Sequence, residues 1–208
     1  MGCAAFFFDS DRVELNITMS ASPPVDSKDN ATRQGMPDLK PTVEIGPSLD
    51  LTLWRSGDKR TKLDLRLPLR TGVTIERSPQ STGWQFSPRV NLDLQDPAGI
   101  GGWNLGLVAG PLFGDRKQNQ YFYSVAQQYA SPERPAYEAR GGYAGVQFLV
   151  ALSKRFPSYW VGGFLRYDTL SGAVFGDSPL VKRNNYVAGG IAMTWIIGES
   201  SRMVDVTD

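Results

Sequence analysis

A strict alternation of apolar and polar residues over residues 61–75 limits the folds open to this chain more than any other feature. Successive side chains point to opposite faces of a β-strand, so a period of two predicts one apolar and one charged face. A helix with this sequence would spread charge around its whole circumference. The alternating residues are Leu63, Leu65, Leu67, Leu69, Val73 and Ile75 on one side, and Lys62, Asp64, Arg66, Arg70 and Thr74 on the other.

The same alternation recurs along most of the chain and predicts about nine strands. No amphipathic helix of useful length is expected. The other predicted strands are Cys3–Phe8, Val13–Ser20, Val43–Leu53, Trp84–Leu94, Trp103–Leu112, Arg140–Lys154, Tyr159–Thr169 and Asn185–Ile197.

The predicted connections alternate between short turns and long loops, as in outer-membrane barrels. Placing the short turns in the periplasm brings the last strand back to that side. An odd number of strands is then expected upstream of Met1, with a complete total of twelve or, as the alternative, ten. The short turns are Asp9–Asp11, Ser56–Asp58, Asp96–Gly102 and Phe156–Ser158; the longer links are Ala21–Thr42, Ser78–Gly83, Phe113–Tyr137 and Ser171–Asn184.

Alternation alone is also compatible with a soluble β-sandwich, because both folds have one apolar face. Strands of ten or more residues, aromatic residues near strand ends and a small, polar inner face on the last strand favour the membrane barrel. One feature opposes it: four prolines fall inside strand patterns, where each removes a ladder donor. They are Pro47, Pro68, Pro88 and Pro111.

Composition narrows the function further. The chain has no histidine, which removes the Ser-His-Asp and Cys-His catalytic schemes and His-ligated zinc. Cys3 is the only cysteine, so there is no disulfide framework, and a net charge of +1 gives no reason to expect nucleic-acid binding. No apolar run reaches the roughly 20 residues of a membrane-spanning helix. We therefore expect no enzyme, no cofactor and no metal site.

Several segments stand out by their order and spacing: Gly35–Leu39, Ile45–Leu49, Gly110–Asp115, Tyr121–Val125, Tyr129–Tyr143, Arg166–Asp168 and Asp177–Val181. Together they resemble the MipA/OmpV family of Gram-negative outer-membrane proteins. The resemblance spans roughly Arg12 to Ile197 and implies a signal peptide and early strands ahead of Met1. Residues 1–208 are then expected to form one barrel domain, with 198–208 as a polar tail.

The resemblance implies a non-catalytic scaffold in the outer membrane, in contact with its lipid. Its expected partners are a murein lytic transglycosylase and a penicillin-binding protein of peptidoglycan synthesis. The alternative is a passive pore or solute channel. A hydrolase is disfavoured by the missing histidine.

Candidate contact residues lie in the loops and on the charged strand faces. The loop tyrosines and arginines could form a ligand or partner surface, since aromatic residues and arginine anchor interfaces. The favoured interpretation is that the loop folds into the lumen and plugs it, while the charged faces line the interior and pair across strands. Asp177 before Ser178-Pro179 is interpreted as a turn rather than a catalytic acid. The candidates are Tyr121, Tyr123, Tyr129, Arg134, Tyr137, Arg140, Arg166, Asp168 and Asp177.

Overall fold

The computed structural model describes residues 6–10, 12–99 and 101–196. The described chain has an all-β fold, an antiparallel β-sheet as the alternation predicted, and also contains one short α-helix, which was not predicted. The predicted tail at 198–208, Ile197 and the beginning of the Cys3–Phe8 strand lie outside the described residues. The elements are β1 Phe6–Asp9, β2 Val13–Ser22, β3 Thr42–Arg55, β4 Thr61–Thr74, β5 Ser81–Phe86, β6 Arg89–Gln95, β7 Trp103–Gly114, α1 Arg116–Tyr123, β8 Gly142–Arg155, β9 Tyr159–Thr169 and β10 Asn185–Trp195.

The sheet is a meander in which each strand pairs antiparallel with the next one along the chain. β5 and β6 follow each other end to end and together occupy one strand position in the sheet, between β4 and β7. The sheet curves so far that residues of β2 and of β10 line the same interior cavity. This is a barrel-like fold with all short turns at one end and the long loops at the other. The complete total of twelve or ten strands stays a prediction.

The predicted strand Trp84–Leu94 is wrong in one respect, because the row is interrupted at Ser87 and Pro88. Proline has no N–H to donate to a neighbouring strand, so it ends β5 and separates it from β6. The register is nevertheless the same on both sides of the break. Phe86 faces Phe113 in one half and Val90 faces Ala109 in the other, which places Pro88 opposite Pro111.

The two remaining strand prolines lie at the same level of the sheet. Pro68 of β4 faces Ser48 of β3, next to Pro47, and its carbonyl accepts the N–H of Ser87 at 3.2 Å. Four neighbouring strand positions of the sheet therefore each lack one backbone N–H donor at the same level. The strands pair again on either side of that level, with a register irregularity at Leu112/Phe113 beside Pro111, so the sheet accommodates the four prolines at one level.

Polar and apolar residues are distributed the opposite way from a water-soluble protein. Within the described chain, only Val125, Ala139 and Phe175 are buried hydrophobic residues, whereas fifteen polar or charged residues are buried. The large apolar side chains of the strands point outwards, and Ile191 of β10 is 95% exposed. An apolar belt around a polar interior is the pattern of a barrel that faces lipid.

Aromatic residues lie at both ends of this belt. Trp54, Trp103 and Trp195 are near the short turns, while Trp84 and Tyr143 are near the long loops. Such rings occupy the interfaces between lipid and water in membrane proteins. Among the described helices, none combines the length and the apolar character that crossing a membrane would require.

Candidate functional site: a polar lumen beneath a loop cap

The interior of the sheet encloses a polar cavity of about 1090 Å³. Its wall carries the charged faces of the alternating strands, because even-numbered residues of β4 and odd-numbered residues of β6 point inwards. Eight Lys and Arg side chains line the cavity against five Asp and Glu side chains, a net charge of +3 among the described residues. The whole chain carries only +1. The sheet therefore concentrates positive charge in the lumen.

Six of the thirteen lumen charges form ion pairs within β4 or between β3 and β4. Arg66 Nε lies 3.5 Å from Asp50 Oδ2, and an Arg66 terminal nitrogen lies 3.6 Å from Asp64 Oδ2. Lys62 Nζ lies 3.2 Å from the same Asp64 oxygen. Further along, Arg70 Nε lies 3.8 Å from Glu44 Oε2. Each carboxylate offsets the cost of holding a guanidinium away from bulk water.

The predicted candidates Arg166 and Asp168 lie on β9, in the wall of the same cavity. Arg166 Nε donates to Asp168 Oδ2 at 2.7 Å, and Gln147 Nε2 donates to Asp168 Oδ1 at 2.9 Å. The pair is formed within one strand rather than across two strands. Its charges cancel locally, so it adds nothing to the excess of positive charge.

Three long connections meet over one end of the lumen, and we call them together the loop cap: residues 23–41, 115–141 and 170–184. The prediction of no useful helix is corrected here, since α1 occupies the second of these loops. Asp115 starts α1 as its N-cap, and its side chain accepts the N–H of Gln118 at 2.7 Å. A carboxylate at this position satisfies a free N–H and interacts favourably with the helix dipole.

The helix is held inside the barrel mouth by polar contacts. Gln118 Nε2 donates to Glu44 Oε1 of β3 at 3.1 Å, and Asn119 Nδ2 donates to the Arg140 carbonyl at 2.7 Å. Both side chains are buried. Gly83 of β5 has a φ of +105°, and a Cβ there would lie 2.2 Å from the Asp115 carboxylate. Glycine is therefore required where α1 approaches the wall.

Two arginines join the first and second loops reciprocally. Arg33 of the first loop donates to the Phe122 carbonyl at 3.4 Å. Arg134 of the second loop donates to the carbonyls of Thr32 and Gln34 at 3.1 and 2.9 Å, and also to that of Tyr129 at 2.8 Å. The planar guanidinium has five donors, so one side chain can hold three carbonyls together.

A small apolar core connects the second and third loops. Phe175 is 1% exposed, and its ring stacks on Tyr123 with 3.8 Å between centroids. Ser178 Oγ donates to the Tyr123 carbonyl at 2.7 Å. The two other buried hydrophobic residues, Val125 and Ala139, lie in the second loop. The hydrophobic core of the described chain is therefore in the loop cap and not between strands.

Burial shifts several pKa values in the loop cap. It lowers the pKa of Arg33, with neighbouring Arg134 acting in the same direction. It raises the pKa of Tyr123, and Asp168 adds to this shift by repelling the phenolate. It also raises the pKa of Tyr121, whose hydroxyl donates to the Lys40 carbonyl at 3.2 Å. Because both tyrosine pKa values are raised, the two hydroxyls are protonated at neutral pH.

The remaining predicted candidates differ in how far they join these contacts. Tyr137 donates its hydroxyl to the Val174 carbonyl at 3.5 Å, and Tyr129 contributes its carbonyl to the Arg134 contact. Arg140 takes part through its backbone carbonyl, while its side chain is exposed. Asp177 is exposed in the third loop, beside Ser178. The structure thus brings Tyr121, Tyr123, Tyr129, Arg134 and Tyr137 together, but not the side chains of Arg140 and Asp177.

Sequence reasoning missed Arg33, Glu44 and Phe175 as site residues. Phe175 had a usable signal, since the run Ala173-Val174-Phe175 is apolar within a polar loop. The contact between Glu44 and Gln118 joins residues 74 positions apart, and no local pattern indicates it.

A protein-family model described as MltA-interacting protein MipA matches residues 2–197 of the chain. The chain belongs to the MipA family. The match covers nearly the whole sequence, including every strand and all three loops of the cap. No curated protein and no solved structure matches the chain at a significant level. The predicted family is confirmed, and the barrel-like sheet is the fold of this MipA family member.

Proposed function

We propose that this MipA family member is a non-catalytic outer-membrane barrel that binds a murein lytic transglycosylase. The family match over residues 2–197 carries the proposal, because that family is described by its interaction with MltA. The apolar outer belt supports a site in a bilayer, with lipid as the surrounding partner. In the full proposal, the barrel also holds a penicillin-binding protein, so that cleavage and synthesis of peptidoglycan occur at one place.

The short-turn end is the proposed docking surface for these enzymes. Murein enzymes work in the periplasm, and barrels of this kind have their short turns on that side. Arg60 is exposed in the turn between β3 and β4, whereas Glu133 is exposed at the opposite end, in the loop cap. Charged residues on the rim of an interface affect association by long-range attraction, so the two ends can be compared by reversing a charge.

The first test locates the protein. Cells expressing the gene with its upstream region are fractionated, and the membrane fraction is run on a gel with and without boiling. A band in the outer membrane that shifts on boiling is the expected result. A soluble protein with no shift would contradict the barrel and the function based on it.

The second test measures partner binding. The protein in detergent micelles is immobilised, and purified lytic transglycosylase is passed over it. Retention is expected, with weaker binding for Arg60→Glu and unchanged binding for the matched variant Glu133→Arg. No retention at all would remove the scaffold proposal. Loss of binding only in Glu133→Arg would reverse the proposed orientation.

A passive pore is the second candidate, and the cavity of about 1090 Å³ is the observation that favours it. Gln118, Asn119, Phe122 and Tyr123 of α1 line that cavity, so any pathway has to pass the helix. Conductance in planar bilayers tests this candidate. A conductance that rises when the loop cap is loosened would support a gated pore. No conductance with the loop cap either intact or loosened would exclude a pore.

A further inference from the structure

One group of side chains in the lumen has a function in neither proposal. Arg66 of β4 and Arg89 of β6 are direct cross-strand partners on the inner face of the wall. Like charges at directly opposite positions destabilise an antiparallel pair. Arg70 is four residues beyond Arg66 on the same face, and one of its terminal nitrogens donates to Ser87 Oγ at 3.0 Å, two residues before Arg89. Three guanidinium groups therefore line one region of the wall.

Only two of these three cations have a carboxylate oxygen of a described residue within 4.0 Å. Arg66 has Asp50 and Asp64 within 3.6 Å, and Arg70 has Glu44 at 3.8 Å. Within the described part of the chain, the Arg89 side chain forms no ion pair within 4.0 Å and no hydrogen bond, while its backbone belongs to the β4–β6 ladder. Its side chain is half-buried and lines the cavity. A guanidinium group with free donors thus faces the lumen beside two others.

The local backbone fixes the position of Arg89. It follows Pro88 directly, at the level where the prolines interrupt the ladders. A Cβ on Gly110 of the neighbouring strand would lie 2.1 Å from the Pro88 carbonyl and 2.7 Å from the Arg89 Cα. The absence of a side chain at Gly110 lets the two backbones approach closely. Arg89 is therefore held on a tightly packed segment of the wall.

We propose that Arg89, flanked by Arg66 and Arg70, is a binding site for an oxyanion, in the form of a small solute with a phosphate or carboxylate group. The planar fork of arginine donates two parallel hydrogen bonds to either group. The net charge of +3 on the cavity lining attracts an anion into the lumen, and the two flanking arginines strengthen its binding. An anion there also relieves the repulsion between the paired arginines. The site is independent of the scaffold proposal, since it lies inside the barrel.

The test is calorimetric titration of the protein in detergent micelles at low ionic strength, with inorganic phosphate as one probe and citrate as the other. Saturable binding of at least one probe is expected. Arg89→Gln should weaken it about tenfold or more, because a charge-assisted bidentate contact is lost. Arg89→Lys keeps the charge but loses the fork, and should give an intermediate affinity. A preference for one probe identifies the group that the site accepts.

Arg183→Gln is the matched control. Arg183 lines the same cavity from the third loop, so the variant removes one positive charge from the lumen without touching the arginine group. The affinity of this variant for the anion should stay within about twofold of that of the unmodified protein, since the charge of an exposed side chain is screened. Equal losses in both variants would show a diffuse charge effect and overturn the site. Absence of saturable binding in the unmodified protein would also overturn it. Heat-modifiable migration of each variant verifies that its barrel is folded.

Discussion

Replacing Phe175 with alanine should open the loop cap while leaving the strands intact. The ring is 1% exposed and stacks on Tyr123 at 3.8 Å between centroids. Removing a buried phenylalanine side chain costs about 3–5 kcal/mol in stability, and every ~1.4 kcal/mol is tenfold in an equilibrium constant. Opening of the loop cap should therefore become roughly a hundredfold or more favourable.

Amide hydrogen exchange of the protein in micelles measures this opening directly, because it reports local stability residue by residue. The informative loop amides are Val125, which donates to Tyr137 at 2.8 Å, and Ser178, which donates to Phe175 at 3.0 Å. Their exchange should accelerate strongly, while the amides of β3 and β4 keep their protection. Val174→Ala is the matched control, since that neighbouring side chain is 38% exposed and loses much less on truncation. Equal acceleration in the strands would refute the reasoning, because the loop cap would then not be a separate cooperative unit.

Three further predictions concern the wall, the loop contacts and the effect of pH. Gly110→Ala should lower the temperature at which the gel band shifts, because the new Cβ would lie 2.1 Å from the Pro88 carbonyl oxygen. Overpacking of this kind costs about 1–3 kcal/mol in stability. Gly57→Ala is the control and should leave the temperature unchanged, since the space around Gly57 is open. Arg134→Lys loses the fork that holds three carbonyls, so limited proteolysis should cut the first loop about tenfold faster, since hydrogen bonds to charged groups contribute about 1.5–3 kcal/mol each. An unchanged cutting rate would show that Arg134 does not hold the loops together. Burial raises the pKa of Tyr123. The contribution of Tyr123 to stability is therefore complete below the ordinary tyrosine pKa of ~10 and is lost as pH rises through the raised pKa. The near-ultraviolet circular dichroism signal of the loop cap should fall over this pH range, and should fall less steeply in Tyr123→Phe.

The sequence by itself determined where strands form and in what order, apart from the break at Ser87 and Pro88. A side-chain period of two is a local property of an extended backbone, so residues 61–75 could be assigned without knowing their neighbours. Short turns fix which strands are adjacent, and the meander follows from them. The sequence also predicted which face of each strand points into the interior, since a charged face of this length has to meet water or other charges.

Only the tertiary structure decided how the prolines and the loops are used. In the sequence the four strand prolines look like unrelated interruptions. The register of the neighbouring strands shows that they lie at one level of the sheet: Pro47, Pro68, Pro88 and Pro111. In the same way, the sequence left Arg134 as a candidate for a lumen-plugging loop or for a partner surface, and only the structure shows that it donates to loop carbonyls about 100 residues away. Contacts between positions so far apart depend on how the rows align and how the loops fold back. No short stretch of sequence contains that information, because the energy of such a contact depends on both of its ends being brought together.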